Sequence, residues 1–183
     1  LPSPEICAWV SVYGVAMNGV AFLSGTDNTH RSAPVLGSCM PNTSSTPGVF
    51  EATLVAQRAT KSMLSGTTTE FWSYNNDVPG PLIDVFEGDT VRIRLDNRLS
   101  QETTVHWHGL PVPPDQDGNP MDPVAPGASR TYEFTLPVGS AGTYWYHPHP
   151  HEMTAEQVFR GMAGLLIVRS RTDPIPTAIE EKL

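Results

Sequence analysis

An all-β sandwich or barrel is the fold that this 183-residue sequence predicts, and three observations carry the prediction. Short apolar runs with period-two alternation recur along the chain. Between them stand 18 prolines and 15 glycines, spaced as turn residues are spaced in all-β domains. No stretch has the length and periodicity of a long helix. The length suits one domain of ordinary size with an appendage.

Residues 1–48 carry no clean periodicity and close on the turn-rich run Pro41-Asn42-Thr43-Ser44-Ser45-Thr46-Pro47-Gly48. They read as an irregular N-terminal extension and linker. The uncharged run from Ala8 to Leu23 includes Ser11, Asn18 and two glycines, has no basic residue before it, and is too short to span a bilayer comfortably. It reads as neither anchor nor signal peptide. A chain that starts at Leu1 rather than Met is expected to be a mature chain or a fragment. Cys7 and Cys39 are its only cysteines. A disulfide between them is allowed in an oxidising compartment; unlinked thiols, or a partner outside this chain, are the alternatives.

The domain proper spans residues 49–170. Phe50, Ala52, Leu54 and Ala56 alternate with polar or small residues, and Thr69 to Tyr74 alternates again, giving two strands. Val78-Pro79-Gly80-Pro81 and Glu87-Gly88-Asp89 read as turns. Val91-Arg92-Ile93-Arg94-Leu95 is a strand with one apolar and one charged face. Thr103 to Leu110 is the next strand, followed by a proline-rich loop from Pro111 to Pro126 expected to overhang its end. Tyr132, Phe134 and Leu136 share a face. Thr143-Tyr144-Trp145-Tyr146 is aromatic and β-branched, as strands are, and Pro148 stops ladder pairing after it. A polar stretch from Met153 to Arg160 has room for one helical turn, and Met162 to Val168 reads as a buried strand. Residues 171–183 turn polar, with Pro174 and Pro176, and are expected to form an exit linker toward a following domain.

Two His-x-His pairs concentrate the chemistry. His106-Trp107-His108 and His147-Pro148-His149 hold four of the six histidines. On a strand, side chains alternate faces, so His106 and His108 point together while Trp107 points opposite. Each pair is a two-nitrogen claw, and neutral imidazole is the commonest metal ligand. A lone histidine usually has a bland role, and His30, in the polar run Gly25 to Thr29, reads as solvated. His151 and Glu152 lie just past the last ligand and read as residues that orient rings and waters. A formal net charge of −8 and a pI near 5.1 argue against nucleic acid or an anionic membrane as the partner, since both require clustered Lys and Arg.

The runs Thr104-Val105-His106-Trp107-His108-Gly109-Leu110, Asp115-Gln116-Asp117-Gly118, Pro126-Gly127, Gly142-Thr143-Tyr144-Trp145-Tyr146-His147-Pro148-His149 and Gly161-Met162-Ala163-Gly164-Leu165 closely resemble the first cupredoxin domain of multicopper oxidases. The likeness covers about residues 50–170. It implies a cupredoxin-like Greek-key sandwich or barrel. It also implies a trinuclear copper cluster lying between the first and last cupredoxin domains, each domain giving four histidines. On that likeness His106 matches the type 2 copper ligand, while His108, His147 and His149 match ligands of the type 3 pair. Asp117 matches the carboxylate that delivers protons to dioxygen as it is reduced to water; a loop-capping role in Asp117-Gly118 is the alternative.

Equally informative is what the chain lacks. The family oxidises its reductant, a small molecule or a metal ion, at a type 1 copper whose Cys lies between cluster histidines, and no His-Cys-His occurs here. Half a cluster and no electron entry port imply an N-terminal part of an oxidase, inactive without a C-terminal cupredoxin domain that carries His-Cys-His. A free-standing cupredoxin-like module that binds or stores copper is the alternative; a cluster completed by self-association ranks last. A cupin is set aside because no Glu ligand follows His108, and a zinc hydrolase gives no reason for the second pair. The six methionines are scattered rather than gathered in a Met-rich insert, so they do not identify the reductant. The resemblance places the protein in the periplasm or outside the cell.

Overall fold

The structure is a computed structural model that describes residues 38–172, so Cys7, His30 and residues 173–183 lie outside the described residues. Its strands are β1 (Val49–Leu64), β2 (Thr67–Tyr74), β3 (Gly80–Phe86), β4 (Thr90–Asn97), β5 (His106–His108), β6 (Ser129–Thr135), β7 (Gly142–His147) and β8 (Gly164–Arg169). One short helix, α1 (Thr154–Phe159), precedes β8. The strands form two four-stranded sheets, ordered β2-β1-β4-β6 and β3-β8-β7-β5. Mostly strand, with almost no helix, this is the all-β sandwich that the alternation implied.

Alternation explains the first sheet. Phe50, Ala52, Leu54 and Ala56 of β1 and Val91, Ile93 and Leu95 of β4 are buried, while Arg92 and Arg94 keep to the outer face. Tyr132 and Phe134 of β6 and Leu136 just beyond it complete that inner face. Each fully buried aliphatic side chain contributes about 1.5–3 kcal/mol over its exposed state, which is why the polarity pattern dictates which face turns inward. β1 changes partner at Ala56: its first half runs parallel to β4, its second half antiparallel to β2.

The second sheet carries the histidines. β3 was not legible as a strand, since its burial is nearly continuous rather than alternating, as expected for a strand paired in parallel and covered on both faces. The strand expected from Thr103 to Leu110 is shorter, only His106–His108. Its register against β7 sets His106 opposite His147; one residue back, the Val105 N–H turns away from β7 and donates to the Tyr132 hydroxyl at 3.2 Å. At the other end Gly109, at φ 89°, turns the chain away.

The last residues of the irregular extension join the sandwich. Leu82 exchanges backbone bonds with Ser38 and Met40, each 2.8 Å long, and the Met40 side chain is buried in the core. Cys39, between them, is disulfide-bonded. Cys7, the only other cysteine in the sequence, lies outside the described residues. At the far end, Glu87 accepts hydrogen bonds from the Gly139 N–H (2.7 Å), the Ser170 hydroxyl (2.9 Å) and the Arg171 N–H (3.2 Å). These donors, the Gly139 amide foremost, hold its carboxyl below the usual range.

Candidate metal centre

Strand alternation does to the first pair what it must: Trp107 turns inward and is fully buried, while His106 and His108 face the opposite side. The Trp107 ring packs edge-on to Tyr132 at 5.9 Å and against Phe134 at 5.3 Å, and its Nε1–H donates to the Gln116 carbonyl at 3.0 Å. The core therefore clamps the residue between the two ligand candidates. The antiparallel register puts His147 directly across from His106, which gathers both claws at one end of the sheet.

The result is a compact imidazole cluster. His106, His108 and His147 each offer a ring nitrogen, and those atoms lie within 4.8 Å of one another. The closest approach, 3.2 Å, is between His108 Nδ1 and His147 Nε2. His149 stands beside them, its ring centroid 5.3 Å from that of His106 and 6.0 Å from that of His147. The structure brings together all four histidines of the two pairs. His151, by contrast, is exposed.

Hydrogen bonds to backbone carbonyls select the nitrogen that faces inward. His106 Nδ1 lies 3.0 Å from the Asp117 carbonyl and His147 Nδ1 lies 2.8 Å from the Pro148 carbonyl. A carbonyl can only accept, so both Nδ1 atoms carry the hydrogen and both Nε2 lone pairs are left for a metal. Burial pushes the His147 imidazole down from 6.5 to about 4; the Pro148 carbonyl opposes the shift, and the other three imidazoles add to it. At neutral pH this ring is an uncharged donor.

Asp117, in the loop after β5, lies against His106. Its carboxylate Oδ1 is 3.0 Å from His106 Nδ1, but the Asp117 carbonyl takes that N–H, and Oδ1 is left without a hydrogen bond of its own. Buried polar atoms without partners are rare. Of three such side-chain atoms among the described residues, two are here: Asp117 Oδ1 and His149 Nδ1. Gly118 makes the approach possible. It adopts φ 65°, and a Cβ on it would run into the Val105 carbonyl and come within 2.8 Å of the His106 nitrogen.

Trp145 was missed in the sequence as a site residue. Its ring stacks on His147 at 4.1 Å and on His108 at 4.9 Å. The signal was present, since a residue two before His147 on the same strand must share its face. Three converging imidazoles without a thiolate fit copper in either oxidation state, and the two orphaned buried atoms suit a site built for a further occupant.

Comparison with known proteins defines the class. A multicopper oxidase family model matches residues 55–173. The multicopper oxidase mco of Staphylococcus aureus is 40% identical over 121 residues, covering 66% of this chain and 27% of its own length. The solved multicopper oxidase of Campylobacter jejuni, described as a metallo-oxidase, superposes with a TM-score of 0.73 at 46% identity, over 75% of this chain and 29% of that one. The cell division protein FtsP of Salmonella typhimurium is also similar, 37% identical over 127 residues, 67% of this chain and 27% of its own. This chain belongs to the multicopper oxidase family. Its fold is that of the family's cupredoxin-like domains, and the chain spans about a quarter of the length of these relatives.

Proposed function

We propose that this chain is the first cupredoxin domain of a multicopper oxidase and supplies half of the histidine ligands of a trinuclear copper cluster. In this reading His106 serves the type 2 copper, and His108, His147 and His149 serve the type 3 pair. The observation that carries it is the set of ring nitrogens within 4.8 Å whose outer Nδ1 atoms, on His106 and His147, are already engaged by backbone carbonyls. Copper bound there supplies one-electron cycling for the four-electron reduction of dioxygen to water, paid for by one-electron oxidation of a reductant.

The chain's own residues have separable tasks. Trp107 fixes the backbone between two ligands, and Trp145 restrains the His108 and His147 rings by stacking. Asp117 holds a carboxylate oxygen free beside His106, a place from which it can take protons from solvent and release them toward the site. Electron entry and the remaining histidines belong to a C-terminal cupredoxin domain with a His-Cys-His sequence. The disulfide at Cys39 supports a periplasmic or secreted location. Among the described residues no helix is long and apolar enough to cross a membrane.

A free-standing copper-binding module is the second reading, and the three-histidine group favours it to the extent that it could hold one ion by itself. Copper stoichiometry and oxygen consumption separate the two. On the first reading the chain takes up copper but turns over only when combined with a polypeptide carrying His-Cys-His. Equal copper uptake by wild type and a His106→Ala, His147→Ala double variant would overturn both readings. Tight, saturable binding of one ion, with no oxygen consumption after combination, would leave only the second.

A further inference from the structure

The fourth imidazole lacks the device that fixes two of the others. His106 and His147 each give Nδ1 to a carbonyl, whereas His149 Nδ1 is buried without a partner. What holds His149 is its backbone. The β5–β7 register pairs His106 with His147, Trp107 with Tyr146 and His108 with Trp145. Carried two residues further, it sets Val105 across from Pro148 and Thr104 across from His149. The strand itself ends at His106, and the Val105 N–H turns away from β7 to the Tyr132 hydroxyl at 3.2 Å. Yet the His149 N–H still finds an acceptor: the Thr104 hydroxyl, at 2.8 Å.

We propose that Thr104 is a positioning residue that carries the strand register past Pro148 and thereby seats His149 for metal binding; the proposal rests on the copper reading above. A hydroxyl is needed because the Thr104 carbonyl looks elsewhere, accepting from the Tyr74 hydroxyl at 3.4 Å. Thr104 is fully buried, so no water replaces it without rearrangement. A second tie stiffens the same segment. Gln157 of α1, also fully buried, accepts from the Thr103 hydroxyl at 2.8 Å and donates to the Glu102 carbonyl at 2.8 Å. The chain before the first His pair is thus bonded both to the second pair itself, Thr104 to His149, and to the helix after it, where Gln157 meets Thr103 and Glu102.

The test compares Thr104→Val, which keeps the shape and removes the hydroxyl, with Thr104→Ser, which keeps the hydroxyl, in the full chain. Three quantities are measured: copper(II) affinity, the EPR spectrum of bound copper, and hydrogen exchange of the His149 amide. The valine variant is expected to lose about 10–100-fold in copper affinity, as losing a group that orients a metal ligand does, to show an altered EPR spectrum and to lose protection at that amide. The serine variant should restore all three, which a merely structural loss of packing would not predict. Wild-type affinity and spectrum in Thr104→Val, alongside impaired binding in His149→Ala, would overturn the positioning role and leave the copper reading standing. Undiminished copper binding in His106→Ala, His147→Ala and His149→Ala alike would instead remove the copper reading. Should Thr104→Val fail to fold, the unmodified chain decides. A His149 amide that exchanges as fast as an unprotected loop amide refutes the proposal.

Discussion

Removing copper should expose a pH dependence of stability that comes from His147. Its imidazole is held neutral by burial, down from 6.5 to about 4, while the unfolded chain restores the ordinary value. Above pH 6.5 neither state binds the proton. Between 6.5 and 4 the unfolded state binds it and the folded state does not, so stability falls as pH falls through this window. Below 4 both states are protonated and this contribution is lost in full. That difference corresponds to about 3 kcal/mol, less whatever solvent on the ring's open side screens. Carboxylates add a separate loss at lower pH: Glu133, held down by Arg92, and Glu156, held down by Gln101 and Arg160, stabilise the fold only while ionised. The assay is urea denaturation of the copper-free chain from pH 7.5 to 3.5, for wild type and His147→Gln. Wild type should lose stability between pH 6.5 and 4, and the variant should stay nearly level until the carboxylates titrate. Parallel curves for the two proteins would refute the assignment.

Three further outcomes follow from the same geometry. Gly118→Ala forces an unfavourable positive φ and drives a methyl group against the Val105 carbonyl, so it should displace the Asp117 loop. Copper affinity should drop about tenfold or more by titration, since the His106 Nδ1 partner moves with that loop. Trp107→Ala empties a fully buried site and leaves the Gln116 carbonyl without its donor; denaturation should show a loss of about 3–5 kcal/mol, and a loss under 1 kcal/mol would contradict the clamp. Asp117→Asn, studied in the complete oxidase with its partner domain, should keep its copper content while reoxidation of the reduced enzyme slows by about 10²–10⁴-fold. Unchanged reoxidation sinks the proton role.

Period-two patterning made most of the fold legible. It identified the inward faces of β1, β4 and β6, because burial on those strands is one-sided and polarity reports it directly. β3 escaped because burial on both faces erases alternation, and Pro81 inside it reads as turn. The His pairs were legible from side-chain alternation alone, whereas their mutual approach needed the register of β5 on β7, which no local pattern encodes. Trp145 was within reach of the same alternation, two residues before His147, whereas Thr104 became visible only with that register. Gln157, lodged in a polar stretch, gave no sign that it would be fully buried.

The two devices that orient His106 and His147 share a property with consequences for how the site can vary. Both use backbone carbonyls, of Asp117 and Pro148, as acceptors. A carbonyl survives every substitution of its own side chain, so the Asp117 carboxylate is free to serve another purpose without loosening the ring beside it. Sensitivity passes instead to the residues that shape the backbone: Gly118, which lets the loop approach, and Pro148, whose fixed φ sets the carbonyl that its neighbour uses. Pro148→Gly frees the backbone whose carbonyl meets the His147 Nδ1–H while leaving Asp117 and Gly118 untouched, so copper affinity should fall through His147 alone, read by copper titration. Wild-type affinity in that variant would mean that the His147 ring is held by its other contacts, the Trp145 stack foremost.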